Sequence, residues 1–125
     1  MNTTTIIILL VLVGFLLWRR FSGGGNIDSV SAADYKELRQ QHPNLQILDV
    51  RTPAEVAQGK IKGAKVANVM SGDFQQKINA LDKSKPYLVY CRSGNRSRNA
   101  CRMMQSAGFE QVYNLNGGYA AWERK

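Results

Sequence analysis

Two patterns of apolar positions divide the chain. From Ile6 to Trp18 the sequence reads IIILLVLVGFLLW, with no polar side chain. Beyond residue 26, short apolar runs alternate with stretches whose apolar residues recur at helical spacing. The first pattern predicts a helix surrounded by hydrocarbon. With Asn2 to Thr5 added, the uncharged stretch would rise about 26 Å, against a hydrocarbon core of ~30 Å. Trp18 suits an interface, and Arg19 and Arg20 can snorkel. A cleaved export signal would carry its positive charge before the apolar run, and here the charge follows it. Residues 1–20 are therefore expected to be one transmembrane anchor. Positive residues stay inside, so the expected location is the cell membrane, single-pass, with the C-terminal domain cytoplasmic. Residues 21–26, FSGGGN, read as a flexible linker, and 27–125 as the folded domain.

In that domain, Ile27 to Val30 reads as a short strand and Ser31 as the cap of a helix, with Asp34 as its capping-box partner. Tyr35 and Leu38 share a face, and His42-Pro43 ends the helix. Leu45 to Val50, LQILDV, predicts a buried strand. Thr52 and Pro53 start a short helix that Gly59 stops. Lys65 to Val69 reads as a strand and Ser71 to Leu81 as a helix. Tyr87 to Tyr90, YLVY, gives the clearest strand signal. A polar loop, Cys91 to Ser97, then leads into a helix reaching Ala107, with Phe109 packing back after Gly108. Val112 to Leu115 is a further strand and Tyr119 to Arg124 a last helix. Strands alternating with helices predict an α/β fold, a parallel sheet with helices on both faces, preceded by one N-terminal transmembrane helix.

A chain of 125 residues supports one core of this kind. The net charge of +8 suits anionic ligands or acidic lipid. The basic residues are scattered, without the interleaved aromatics that stack bases, so no nucleic-acid partner is expected. Two cysteines, no CxxC pair and a single distant histidine, His42, leave neither a disulfide framework nor a metal site, and no cofactor is expected. His42 reads as solvated.

Cys91 is the candidate nucleophile. It stands where the YLVY strand ends, and ligands of open α/β sheets bind at strand carboxyl ends. The loop and the first turn of the next helix have backbone N–H groups free to converge on an anion. That setting favours thiolate over thiol. Arg92 and Arg96 add positive charge, and Ser93, Gly94, Asn95 and Ser97 complete the loop. No general base stands near, and an ionised nucleophile needs none. Cys101, inside the following helix, reads as core, as does one of Met103 and Met104.

CRSGNRS at 91–97, LDVRTPAEVAQGKIKGAKVANV at 48–69 and NLNGGYAAW at 114–122 occur in this order, and together they resemble the rhodanese-like domain family. The resemblance implies a twisted parallel sheet, Cys91 as sulfur carrier and a cradle of amides from Arg92 to Ser97. It also implies that Asp49, Arg51 and Glu55 buttress the site, chiefly through buried charge pairs. It implies sulfurtransferase activity through a Cys91 persulfide, fed by a small anionic donor such as thiosulfate or by a persulfide. The acceptor would be a thiol, a protein cysteine or, in vitro, cyanide. Lys60 and Lys62 stand where the family often has histidine and proline, which bears on donor or partner preference. Two other readings remain: a catalytically idle membrane-tethered interaction module, and a phosphatase or arsenate reductase of the dual-specificity type. Phosphatases of that type space Cys and Arg by five residues, whereas four separate Cys91 from Arg96.

Overall fold

The computed structural model describes residues 2–21 and 27–124. The sheet has five parallel strands in the order β1-β5-β4-β2-β3, formed by β1 (Asp28–Val30), β2 (Gln46–Asp49), β3 (Lys65–Val66), β4 (Tyr87–Tyr90) and β5 (Val112–Leu115). The helices are α1 (Thr3–Phe21), α2 (Tyr35–Gln41), α3 (Pro53–Ala57), α4 (Phe74–Asn79), α5 (Asn95–Ser106) and α6 (Gly118–Arg124).

Alternation along the strands builds two cores. Leu48, Val50, Tyr87, Val89, Cys91 and Val112 share one face with Phe74 and Ile78 of α4 and Ala100, Cys101 and Met104 of α5. Ile47, Leu88, Tyr90 and Leu115 share the other with Leu38 of α2, flanked by Tyr35, Tyr119 and Trp122. Strand β4 lies between β2 and β5 and all four of its residues are buried. This is why its sequence is apolar throughout rather than alternating.

Three local differences from the sequence reading have physical causes. Ser31 does not cap α2; its hydroxyl accepts from the Asp34 amide at 3.2 Å and holds a turn, so the helix begins at Tyr35. Strand β3 stops at Val66, although the amides of Ala67 and Val69 still reach the carbonyls of Asp49 and Val50. His42 is half-buried rather than solvated, its Nε2 lying 3.2 Å from the Tyr113 hydroxyl.

The expected transmembrane helix over 1–20 needs correcting. A helix forms there, but among the described residues no helix is long and apolar enough to cross a membrane. The unbroken apolar run Ile6 to Trp18 rises only about 20 Å, short of the ~30 Å hydrocarbon core, and the rest of α1 is Thr3 to Thr5 and Arg19 to Phe21. Every side chain from Asn2 to Trp18 is exposed. Of the expected linker, Phe21 ends α1 and 22–26 lie outside the described residues.

Candidate active site

Cys91 follows β4 directly, and its side chain continues the face of Tyr87 and Val89. Only 1% of the residue is exposed. The chain then turns at Gly94, whose φ of 112° lies in the left-handed region, and enters α5. A side chain at Gly94 would meet only ordinary contacts, the nearest being the Gly117 amide at 3.6 Å. Its backbone conformation is therefore what requires glycine. The turn aims the Gly94 amide at Cys91 Sγ, 3.1 Å away, and the Ser97 hydroxyl sits 3.4 Å from the same sulfur.

Burial by itself would push the Cys91 thiol up. The Ser97 hydroxyl and the backbone amides of Ser97, Gly94 and Ser93 outweigh it and bring the thiol below its ordinary value. Ten residues on, Cys101 has no such donors, and burial drives it up to about 12.

Asn114 completes this cluster. It is fully buried on β5, its Nδ2 donates to the Gly94 carbonyl at 3.3 Å, and its Oδ1 accepts from Ser97 Oγ. A hydroxyl has one proton, and Ser97 Oγ has three candidate acceptors: Asn114 Oδ1, the Gly94 carbonyl at 3.1 Å and Cys91 Sγ. The proton can rest on an oxygen while Cys91 is a thiol and turn to sulfur when Cys91 ionises. Sequence reasoning missed Asn114. An amide-bearing residue in a strand otherwise as apolar as VYNL was the available signal, because a buried polar group must find partners.

The first turn of α6 secures the loop from below. The Tyr119 amide donates to the Cys91 carbonyl at 2.8 Å, and the Ala120 amide to the Arg92 carbonyl at 3.1 Å. Gly118 makes the approach possible: a Cβ there would lie 2.5 Å from the Cys91 carbonyl oxygen and 2.6 Å from the Arg92 carbonyl carbon. This role was also not foreseen.

The supporting residues form two separate pairs. Asp49 and Arg51 are buried together on the α2–α6 face, joined at 2.7 Å. Asp49 also accepts from the Arg51 amide at 3.0 Å and from the Tyr90 hydroxyl at 2.7 Å. Arg51 donates to the Gly59 carbonyl at 2.6 Å and lies over the Tyr119 ring. Tyr90 accepts from the Ile61 amide at 3.0 Å. Burial, then the bond to Asp49, raises the Tyr90 phenol. A buried ion pair is tolerable when its remaining hydrogen-bonding capacity is met in this way.

Glu55 and Arg96 meet at the rim in a two-pronged pair, at 2.7 and 2.9 Å. Glu55 is also the third residue of α3, where it closes a capping box with Thr52. Arg96, then its bonds to Thr52, holds the Glu55 carboxyl down at about 2 despite partial burial. Arg96 is therefore not the free cation that the sequence suggests. Its charge is balanced by Glu55, and Cys91 contributes only a smaller share to keeping Arg96 protonated. The expected loop to Ser97 is shorter, because α5 already begins at Asn95; Arg92 and Ser93 on the loop and Asn95 at the helix start are exposed. Lys60 donates to the Ala64 carbonyl at 3.0 Å, so its charge closes a turn. No group of residues suited to a metal occurs among the described residues.

A buried cysteine at the carboxyl end of a central parallel strand, facing the Gly94 amide and the Ser97 hydroxyl and followed by a helix N-terminus, marks the class: an α/β domain built around one cysteine. The model of the family described as Rhodanese-like domain matches residues 31–125, and the chain belongs to that family. YtwF of Bacillus subtilis, whose name assigns it provisionally to the sulfurtransferases, is 41% identical over 97 residues, covering 78% of this chain and 91% of its own. A sulfurtransferase of Allochromatium vinosum is 35% identical over 98 residues, covering 76% and 90%. The thiosulfate sulfurtransferase GlpE of Pseudomonas fluorescens is 40% identical over 86 residues, covering 68% and 74%. Among solved structures, the rhodanese-like domain of an Anabaena protein superposes with a TM-score of 0.68 at 32% identity, covering 79% of this chain and 75% of that one. These relatives support rhodanese-type sulfur transfer at the level of the family.

Proposed function

We propose that the chain is a sulfurtransferase that carries sulfane sulfur as a persulfide on Cys91, taking it from thiosulfate or a persulfide donor. The observation that carries this reading is that the Gly94 amide and the Ser97 hydroxyl converge on Cys91 Sγ, at 3.1 and 3.4 Å. The thiolate attacks the outer sulfur of the donor, a Sγ–S bond forms, and with thiosulfate the donor S–S bond breaks to release sulfite. The anionic outer sulfur then sits near the same donors, as an oxyanion does in acyl transfer. An acceptor thiol, or cyanide in vitro, takes the sulfur and returns the electron pair to Cys91. Because Cys91 is buried, the donor reaches it past the exposed loop residues Arg92 and Ser93 and Asn95 at the start of α5.

The test is incubation of the full chain with thiosulfate followed by intact-mass measurement. A gain of one sulfur atom, absent in Cys91→Ser, is the expected result. No gain in the unaltered chain would leave the idle-module reading standing.

The helix α1 supports a second part of the proposal, that the chain attaches to the cell membrane with its domain on the cytoplasmic side. Its exposed apolar side chains, Ile6 to Val13 and Phe15 to Trp18, form a run of exposed apolar surface of the kind that marks a membrane or partner site, and Arg19 and Arg20 follow it. Flotation with lipid vesicles tests attachment, and protease access in sealed vesicles tests the side. A chain that stays with the aqueous fraction defeats this part.

A further inference from the structure

Beside the loop lies a cavity of about 170 Å³, lined by Arg51, Glu55, Gln58, Arg92, Tyr119, Ala120 and Glu123. It adjoins Cys91 through backbone, since the amides of Tyr119 and Ala120 hold the carbonyls of Cys91 and Arg92. It is smaller than the ~300–1,000 Å³ of pockets for drug-sized ligands, so it suits a molecule of a few heavy atoms.

Its charges fall into two groups. Arg51 is neutralised by Asp49, and Glu55 by Arg96. Among the described residues, neither Arg92 nor Glu123 joins an ion pair, and both are exposed. The cavity thus presents one uncompensated cation on the loop and one uncompensated anion on α6. A dianionic donor would gain from Arg92 and be repelled by Glu123. A molecule carrying both an ammonium and a carboxylate would gain from both.

We propose that this cavity is the acceptor subsite and that the acceptor is a small zwitterionic thiol, its carboxylate at Arg92 and its ammonium at Glu123. The inference rests on the sulfur-transfer reading. The acceptor thiolate forms a bond to the outer sulfur. The Sγ–S bond of Cys91 breaks with its electron pair returning to Sγ, and the acceptor leaves as its own persulfide. The proton lost on ionising the acceptor thiol goes to solvent, and no oxidant or reductant is consumed.

The test uses the full chain in detergent, loaded with thiosulfate and freed of excess donor. It is then mixed with cysteine, cysteamine, mercaptopropionate or mercaptoethanol, with rates expressed per thiolate. Loss of one sulfur atom by intact mass is the readout. Cysteine should unload the carrier about two- to fivefold faster than either singly charged thiol, as expected for one further partly exposed charge pair. In Glu123→Gln, the advantage of cysteine over mercaptopropionate should vanish and its advantage over cysteamine should remain. Equal rates for all four thiols, or an unchanged preference in Glu123→Gln, would overturn the subsite while leaving sulfur transfer intact. Failure to load would overturn the sulfur-transfer reading and the subsite with it.

Discussion

Cys91 and Cys101 lie in the same core, and neither is more than 1% exposed. One thiol is brought down and the other is driven up to about 12. Burial is common to both, so burial does not account for the difference. The difference is the donors: Cys91 faces a left-handed turn and a helix start, while Cys101 sits mid-helix, where backbone amides are already used within α5. A thiolate can be stabilised in a dry site when dipoles fixed by the fold replace water.

The comparison can be broken most severely at the sulfur. Cys91→Ser should lower sulfur transfer by at least about a thousandfold in a thiosulfate assay. Cys101→Ala should retain loading and cost only about 1–2 kcal/mol in a denaturant titration. Next comes the backbone: Gly118→Ala forces the start of α6 away from the Cys91 carbonyl and should cost about 3 kcal/mol of stability. Its thiolate titration should shift upward even where the protein remains folded.

A gentler break is Asn114→Leu, which removes the amide that holds the Gly94 carbonyl, and with it the turn that aims the Gly94 amide at Cys91, without emptying the site. The Cys91 thiol should titrate about one unit higher, equivalent to ~1.4 kcal/mol, measured by the pH dependence of alkylation. The smallest effect belongs to the rim. Glu55→Gln should cost about 1 kcal/mol or less. The folded carboxyl is depressed to about 2 from its ordinary 4.5, so its contribution is complete above 4.5 and is lost as pH falls toward 2. Stability curves for the two proteins should therefore converge in acid. If they stay parallel down to the lower limit, the pair does not stabilise the rim.

The sheet was legible where burial and sequence agreed. Tyr87–Tyr90 and Val112–Leu115 are short, mostly apolar runs bounded by turn-forming stretches, and both match their strands at both ends. The start of α2 was not legible, because Ser31 had an alternative use in a turn. Of the site, the loop and its cysteine could be read from spacing, since glycine between polar residues before a helix has few structural uses. The pairing of Arg96 with Glu55 could not, because it joins α5 to α3 across forty-one residues of sequence. The same holds for Asn114 and Gly118, whose roles come from contacts made only when β5 and α6 close on β4.

Tyr90 and Cys91 are consecutive, yet one belongs to the ion-pair face and the other to the α5 face. The pleat alone separates them. Were β4 to pair one residue out of step with its neighbours, the phenol would take the place of the sulfur and the sulfur would lie among charged groups. Chemical competence thus reports on strand alignment to the nearest residue. A preparation that is compact and rich in secondary structure, yet inert toward a thiol reagent, would betray a misaligned sheet.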